Sequence, residues 1–208
     1  MLITKLKQKY YLLLPVLLLV NACGSTTSNH STMASTPERS SFAPLSKTEE
    51  KTLTALNLNQ QKLLDAINFE RSTSHICGER GTFPSVPPLR WSPQLQASAH
   101  EHVYDLAHSD TFSHNGSGTK YDITGKGTPS KFYERIIANG YNHYYSVGEN
   151  IAGGQRTIKE VMKAWMKSPG HCENIMKSTY TQVGVSIVIK SDATYQVYWG
   201  QNFGSKRI

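Results

Sequence analysis

The stretch Trp165-Met166-Lys167-Ser168-Pro169-Gly170-His171-Cys172-Glu173-Asn174-Ile175-Met176 decides how this chain is read. It sets an imidazole beside a thiol, with an acid and an amide close behind. Just upstream, Thr157 to Glu160 has the spacing of a capping box, in which a hydroxyl accepts from a backbone N–H of a new helix. Val161 and Trp165 mark that helix's apolar face. Pro169 lies just beyond its expected end, so Pro169-Gly170 reads as a turn presenting His171.

Working outward, Val183, Val185, Ile187 and Ile189 alternate with Gln182, Gly184 and Ser186, and Tyr195, Val197 and Trp199 alternate beyond Ser191-Asp192. Period two on both sides of a polar turn is a β-hairpin. A shorter strand is expected over Val147 to Ile151. Before it, Thr128-Pro129 reads as the start of a third helix carrying Phe132, Tyr133, Ile136 and Ile137, closed by Gly140 as its C′ residue. Ser92 is a good N-cap and Pro93 fits the first helical position, with Leu95, Ala99, His102, Val103 and Leu106 on one face of a second helix. Residues 72–90, rich in Gly and Pro, read as a loop. Leu53, Leu56, Leu63, Leu64 and Ile67 give a first helix ending near Arg71. Helices early, strands late and helices between them describe an α+β fold with helices on both faces of a small sheet.

The first residues read as an export signal, 1–22. Lys5, Lys7 and Lys9 are basic, and Leu12 to Val20 is apolar apart from Pro15. That run is far short of the ~20 residues a membrane-spanning helix needs. Val20-Asn21-Ala22-Cys23 resembles the lipobox of bacterial lipoproteins, although Asn21 stands where a small residue is usual. The resemblance implies cleavage before Cys23 and a lipid on its sulfur; the bland alternative is an ordinary secreted protein. Gly24 after the cysteine implies, by the sorting pattern of such lipoproteins, the outer membrane of a Gram-negative host. Residues 23–48 are rich in Ser and Thr without an apolar period, so they read as the lipidated cysteine and a tether. Residues 49–208 remain for one domain.

Loss of the signal takes three lysines from the formal charge of +7, leaving a mild basic excess. No dense Lys/Arg cluster or aromatic-basic stripe accompanies it, which argues against nucleic acid as a partner. Beyond Cys23 two cysteines remain, Cys77 and Cys172, and export places them where a disulfide is the simplest reading.

Four motifs occur in order: Ser113-His114 after the second helix, Gly148-Glu149-Asn150, the Trp165 to Ile175 stretch, and Tyr198-Trp199-Gly200-Gln201-Asn202-Phe203-Gly204. Together they resemble the bacterial members of the CAP superfamily, also called SCP/PR-1-like, over roughly residues 62–204. The resemblance implies a three-layer α-β-α sandwich around a small antiparallel sheet, with a cleft lined by His and Glu. Carried over by position, the cleft residues are His114, Glu149 and His171, which in relatives bind a divalent metal. Two neutral imidazoles and a carboxylate would leave an open position on Zn²⁺. The chain departs from animal and plant members at Ser168, where they carry Glu, and at Thr179, where they carry His.

Bland readings stand beside each residue. His114 could be a solvated loop residue, and Glu149 a carboxylate that braces loops. Asn174 reads as a brace of its turn, His102 as a core histidine, and His100 and His108 as surface. The leading functional expectation is an envelope-tethered binding module holding a lipid, glycan or peptide. An alternative is a metal-dependent hydrolase of peptides or peptidoglycan, with Glu173 the nearest candidate base. A third is a purely structural His/Glu cluster. A Cys-His nucleophile is disfavoured by the expected disulfide, and a serine triad by the lack of a nucleophile elbow.

Overall fold

The structure is a computed structural model that describes residues 60–207. The expected signal segment, Cys23, the tether and the start of the first helix lie outside the described residues. Helix α1 covers residues 60–71. A small antiparallel hairpin, β1 (His75–Ile76) and β2 (Thr82–Phe83), brackets a 3₁₀ turn at Gly78–Arg80, within what the sequence reads as plain loop. Short β3 (Arg90–Trp91) then leads into helix α2 (Pro93–Ser109). The Ser92 hydroxyl accepts from the Leu95 N–H at 3.3 Å, and Pro93 stands where a helix has no use for its missing N–H.

Helix α3 (Phe132–Ala138) starts later than the Thr128-Pro129 signal predicts. The reason is Asp122. Its buried carboxylate takes both the N–H of Ser130, at 2.9 Å, and its hydroxyl, at 2.6 Å. That capture keeps the chain before Lys131 in the loop. Strand β4 (Tyr144–Gly153) is longer than expected, and helix α4 (Ile158–Lys167) is capped by Thr157 as expected. Pro169-Gly170 does not form a turn. It opens a further helix, α5 (Pro169–Met176), with Pro169 in the first turn where proline is tolerated. β5 (Gln182–Ile189) and β6 (Val197–Lys206) form the expected hairpin.

The main sheet has the order β3-β5-β6-β4. Its three long strands are antiparallel, and only the two-residue β3 joins in parallel, because α2 carries the chain across from β3 before β5 pairs beside it. Alternation sorts side chains to two faces. Val183, Val185, Trp199 and Phe203 pack with Leu63 and Ile67 of α1, Val161 and Trp165 of α4, and Ile175 of α5 in the largest apolar cluster. The opposite face meets α2 and α3 through two smaller clusters, one around Val103, Leu106 and Tyr198, the other around Leu95, Ile136 and Tyr141. The expected α-β-α sandwich is therefore present. Gly184 allows it to close, since a Cβ there would run into the α2 backbone at Leu95 and Gln96.

Cys77 and Cys172 form a disulfide across a separation of 95 residues. It ties the 3₁₀ turn to α5. Arg71, fully buried, adds a second clamp: its guanidinium donates to the carbonyls of Ile175 (2.6 Å), Lys177 (3.1 Å) and Pro87 (2.6 Å). A cation at the last carbonyls of α5 suits the helix dipole.

Candidate functional site

Strand β4 is the edge of the sheet, and the second of the four motifs lies on it. Glu149 faces α2 and α3, whereas its neighbours Gly148 and Asn150 face α5. A Cβ on Gly148 would strike the Tyr180 hydroxyl, so only glycine lets Tyr180 reach the strand. There the Tyr180 hydroxyl donates to the Val147 carbonyl at 3.2 Å, and the Asn174 amide to the Glu149 carbonyl at 3.2 Å. Asn174 also donates to Asn150 Oδ1 at 2.9 Å, and Asn150 in turn donates to the His171 carbonyl at 3.2 Å. Asn174 is thus a brace, as its bland reading has it, and what it braces is the strand that carries Glu149.

The carboxylate of Glu149 is buried and both of its oxygens are engaged. His114 Nδ1 lies 2.9 Å from Oε1, and Arg135 Nη2 donates to Oε2 at 3.0 Å. His102 Nε2 stands 3.7 Å from Oε1. Burial alone would raise the Glu149 pKa; His102, the hydrogen bond with His114 and the Arg135 charge outweigh it, so the carboxyl ionises below its usual range. His102 moves the other way from a free imidazole. Burial pulls it down to about 4, against the opposing pull of Glu149, so it is neutral at neutral pH.

The loop carrying His114 is pinned from three sides. The His102 ring bonds the Ser113 carbonyl at 2.9 Å through Nε2, which must then carry the proton. Arg135 Nη2 donates to the His114 carbonyl at 2.9 Å. Asp105, one turn beyond His102 on α2, accepts from the Ser117 N–H at 2.8 Å. The anionic Glu149 fixes the His114 tautomer with the proton on Nδ1, so Nε2 is left as a free acceptor. The His114 side chain is 53% exposed and that of Glu149 only 2%. Of the pair, the His114 ring is therefore the group that faces solvent, and Glu149 is held behind it.

His171, on the first turn of α5, is partly buried. Burial lowers its pKa, with a further push from the charge of His114, and its carbonyl accepts from the Asn150 amide of β4. The three sequence-predicted residues are thus drawn to one edge of the sheet. Among the described residues no three His, Cys, Asp or Glu side chains gather as a metal-holding group, and both carboxylate oxygens of Glu149 are engaged, one by His114 and one by Arg135. Glu173, the nearest candidate base in the sequence, has its carboxylate 3.4 Å from Arg80 Nε.

Sequence reasoning missed Arg135 and ranked His102 as core. Arg135 is 1% exposed and makes four hydrogen bonds, two of them to the carbonyl and hydroxyl of Ser130, each at 3.0 Å. The one available signal was its place between Ile136 and the cap of α3, on the face that turns toward β4. An arginine there reads as surface by default. His102 is indeed fully buried, yet its ring abuts the site, and its Nδ1 has no partner among the described residues.

The sequence pattern of the family described as "CAP: Cysteine-rich secretory protein family" matches residues 64–203. The uncharacterized protein YkwD of Bacillus subtilis is 28% identical over 162 residues, 74% of this chain and 54% of that protein. The uncharacterized membrane protein YlbC of the same organism is 24% identical over 163 residues, 77% of this chain and 38% of that protein. The chain thus spans about half or less of the curated relatives it matches. Among solved structures, an extracellular protein containing a SCP domain from Bacillus anthracis superposes with a TM-score of 0.56 at 24% identity, covering 79% of this chain and 45% of that one. An outer surface protein from Borrelia burgdorferi superposes with a TM-score of 0.50 at 18% identity, covering 77% and 95%. At these identities the two structures speak for the fold.

Proposed function

The chain belongs to the CAP family, the cysteine-rich secretory proteins, and from that premise we propose that it is an exported binding module, anchored through a lipid on Cys23, whose ligand is read at His114. The carrying observation is the division of labour in the site. Glu149 and Arg135 form a buried ion pair that orients the half-exposed imidazole, while neither presents a reactive atom to solvent. A disulfide between Cys77 and Cys172 suits an oxidising compartment outside the cytoplasm.

The hydrolase reading has one observation in its favour. A carboxylate fixing Nδ1 of a histidine whose Nε2 is open is the base half of a nucleophile–base–orienter set. Among the described residues the nucleophile half lacks a counterpart. The Ser113 hydroxyl accepts from the Asn115 N–H at 3.0 Å in its own loop, and both described cysteines are in the disulfide.

The test has two arms. Sedimentation with isolated peptidoglycan sacculi and with phospholipid vesicles reads binding; release of labelled fragments from sacculi and casein, with and without Zn²⁺, reads turnover. Binding without turnover, lost in His114→Ala, is expected. Turnover that disappears with His114 would replace the binding reading with the hydrolase. In a calorimetric titration of chelator-treated protein, Zn²⁺ is expected to bind weakly, through His114 and His171, and to weaken further as pH falls and the imidazoles protonate. Tight binding abolished by Glu149→Gln would show instead that the carboxylate leaves Arg135 to ligate the ion.

A further inference from the structure

A second concave site lies away from the cleft, on the outer side of the α2/α3 layer. It is a groove of about 730 Å³ lined by His100, Glu101 and Tyr104 of α2, Thr124 and Lys126 of the following loop, and Asn139 at the end of α3. Ile123 stands at its rim with 67% of its surface exposed.

The groove is built, and a single residue builds it. Glu101 Oε1 accepts from the Thr124 N–H at 2.9 Å and Oε2 from the Asn139 amide at 2.6 Å, so one carboxylate ties α2 to both walls. Asp122 stiffens the loop wall by accepting from the N–H groups of Gly118 (3.1 Å), Gly125 (3.2 Å) and Ser130 (2.9 Å). Lys126 is held at φ +49, a left-handed conformation that non-glycine residues seldom keep unless their surroundings impose it.

Two kinds of group face the groove. One is aromatic. Tyr104 lines the groove, and its ring is held by His108, stacked at a centroid distance of 3.8 Å, and by Tyr121, edge-on at 6.3 Å, neither of which lines it. The other is polar and unused: the Tyr104 hydroxyl, the Thr124 hydroxyl, Asn139 Oδ1 and Lys126 Nζ have no hydrogen-bond partner among the described residues.

We propose that this groove is a saccharide site that takes a pyranose unit of a glycan. A sugar ring presents a patch of C–H groups on one face and a rim of hydroxyls that donate and accept. The first matches a braced aromatic platform and the second a ring of short, oriented polar groups on a rigid wall. Lys126 is the one lysine or arginine among the lining residues, and the apolar part of the wall, formed by Ala97, Ala138, Ile123 and Tyr104, suits the C–H face of the sugar. Preorganisation by Glu101 means that little ordering cost is left to the binding step.

Saturation-transfer NMR on the purified full chain tests the proposal with two probes, chitotetraose and maltotetraose. Transfer to the ring protons of at least one is expected. Tyr104→Ala should weaken that binding about tenfold or more, Lys126→Gly by less, and His114→Ala not at all. Lys126 makes no hydrogen bond among the described residues, whereas Tyr104→Ala also removes the stacking on His108, so an unchanged circular dichroism spectrum and melting temperature are required of both variants. Absence of transfer from either sugar overturns the proposal, as does binding that survives Tyr104→Ala. Binding lost in His114→Ala but kept in Tyr104→Ala would also overturn it, by moving the sugar into the cleft and supporting the cleft reading instead.

Discussion

The two faces of the sheet are made of different materials. Toward α1, α4 and α5 lies the largest apolar cluster, which includes Trp165 and the Cys77–Cys172 bond, and the polar groups buried with it, Arg71, Asn150 and Gln201, bond to carbonyls or to one another. Toward α2 and α3 the apolar contacts break into two groups, and a buried polar band runs between the elements: Ser98, His102 and Asp105 from α2, Arg135 from α3, Glu149 from β4 and Asn202 from β6. The first face supplies stability. The second holds charge out of water so that one imidazole points outward in a fixed tautomer. Burying such a band carries a desolvation cost, which is what makes it a candidate site.

Breaking the first face should have the largest effect. The double variant Cys77→Ser/Cys172→Ser removes a cross-link over 95 residues, and chain entropy puts its contribution at about 4–5 kcal/mol. Urea unfolding should show that loss, with the resonances of the His114 loop scarcely moved in the folded fraction. Breaking the second face should cost nearly as much by a different route. Arg135→Met leaves Glu149 buried and unpaired, a loss of about 3–5 kcal/mol in the same assay. The double variant Arg135→Met/Glu149→Met should recover most of it while abolishing ligand binding at His114. No recovery would mean that the band's other hydrogen bonds, and not the ion pair, hold that face together.

This contrast also explains what was legible in the sequence. The apolar face announces itself, because Val183, Val185, Val161 and Trp165 recur at strand and helix periods and nothing else explains them. The hairpin, α2 and α4 follow from that. The polar face does not. Arg135 and His102 carry side chains that usually meet solvent, and only the docking of α3 and α2 against β4 buries them. His114, Glu149 and His171 are named by the family motifs and not by any local pattern, since the chain between them is long. The start of α3 and the existence of α5 were misread for a related reason. Each depends on a tertiary contact, Ser130 with Asp122 in one case and the disulfide and Arg71 in the other, that no local spacing encodes.

A gentler way to separate the faces is pH. His102 is depressed to about 4 in the folded chain from an ordinary 6.5. Between those values the unfolded chain binds the proton more readily, so stability is complete above 6.5 and falls as pH drops toward 4. The difference corresponds to roughly 3 kcal/mol at full protonation of the unfolded state. Glu149, also depressed, acts in the same direction in a lower window, its contribution being present above about 4.5 and lost as pH falls through its folded value. Melting temperatures should therefore fall between pH 7 and pH 5. In His102→Gln, whose amide can still donate to the Ser113 carbonyl, that slope should flatten. An unaltered slope would assign the titration to another group.

The smallest expected effect tests whether the two faces communicate at all. Alternate carbonyls of the edge strand β4 are capped by side chains from the opposite layer: Val147 by the Tyr180 hydroxyl, Glu149 by the Asn174 amide and Ile151 by the Trp165 indole, each at 3.2 Å. Capping an edge in this way satisfies groups that would otherwise invite a further strand. Each neutral hydrogen bond is worth about 1 kcal/mol. Tyr180→Phe and Asn174→Ala should accordingly lower stability by similar small amounts. They should differ at the site. Tyr180→Phe frees a carbonyl two residues from Glu149, whereas Asn174→Ala frees the carbonyl of Glu149 itself along with Asn150 Oδ1. If the brace from α5 sets the position of the carboxylate, the imidazole ¹⁵N shifts of His114 will move in Asn174→Ala and stay in place in Tyr180→Phe. If neither variant moves them, the ion pair with Arg135 suffices to hold Glu149, and the apolar face is a foundation for the site without being part of it.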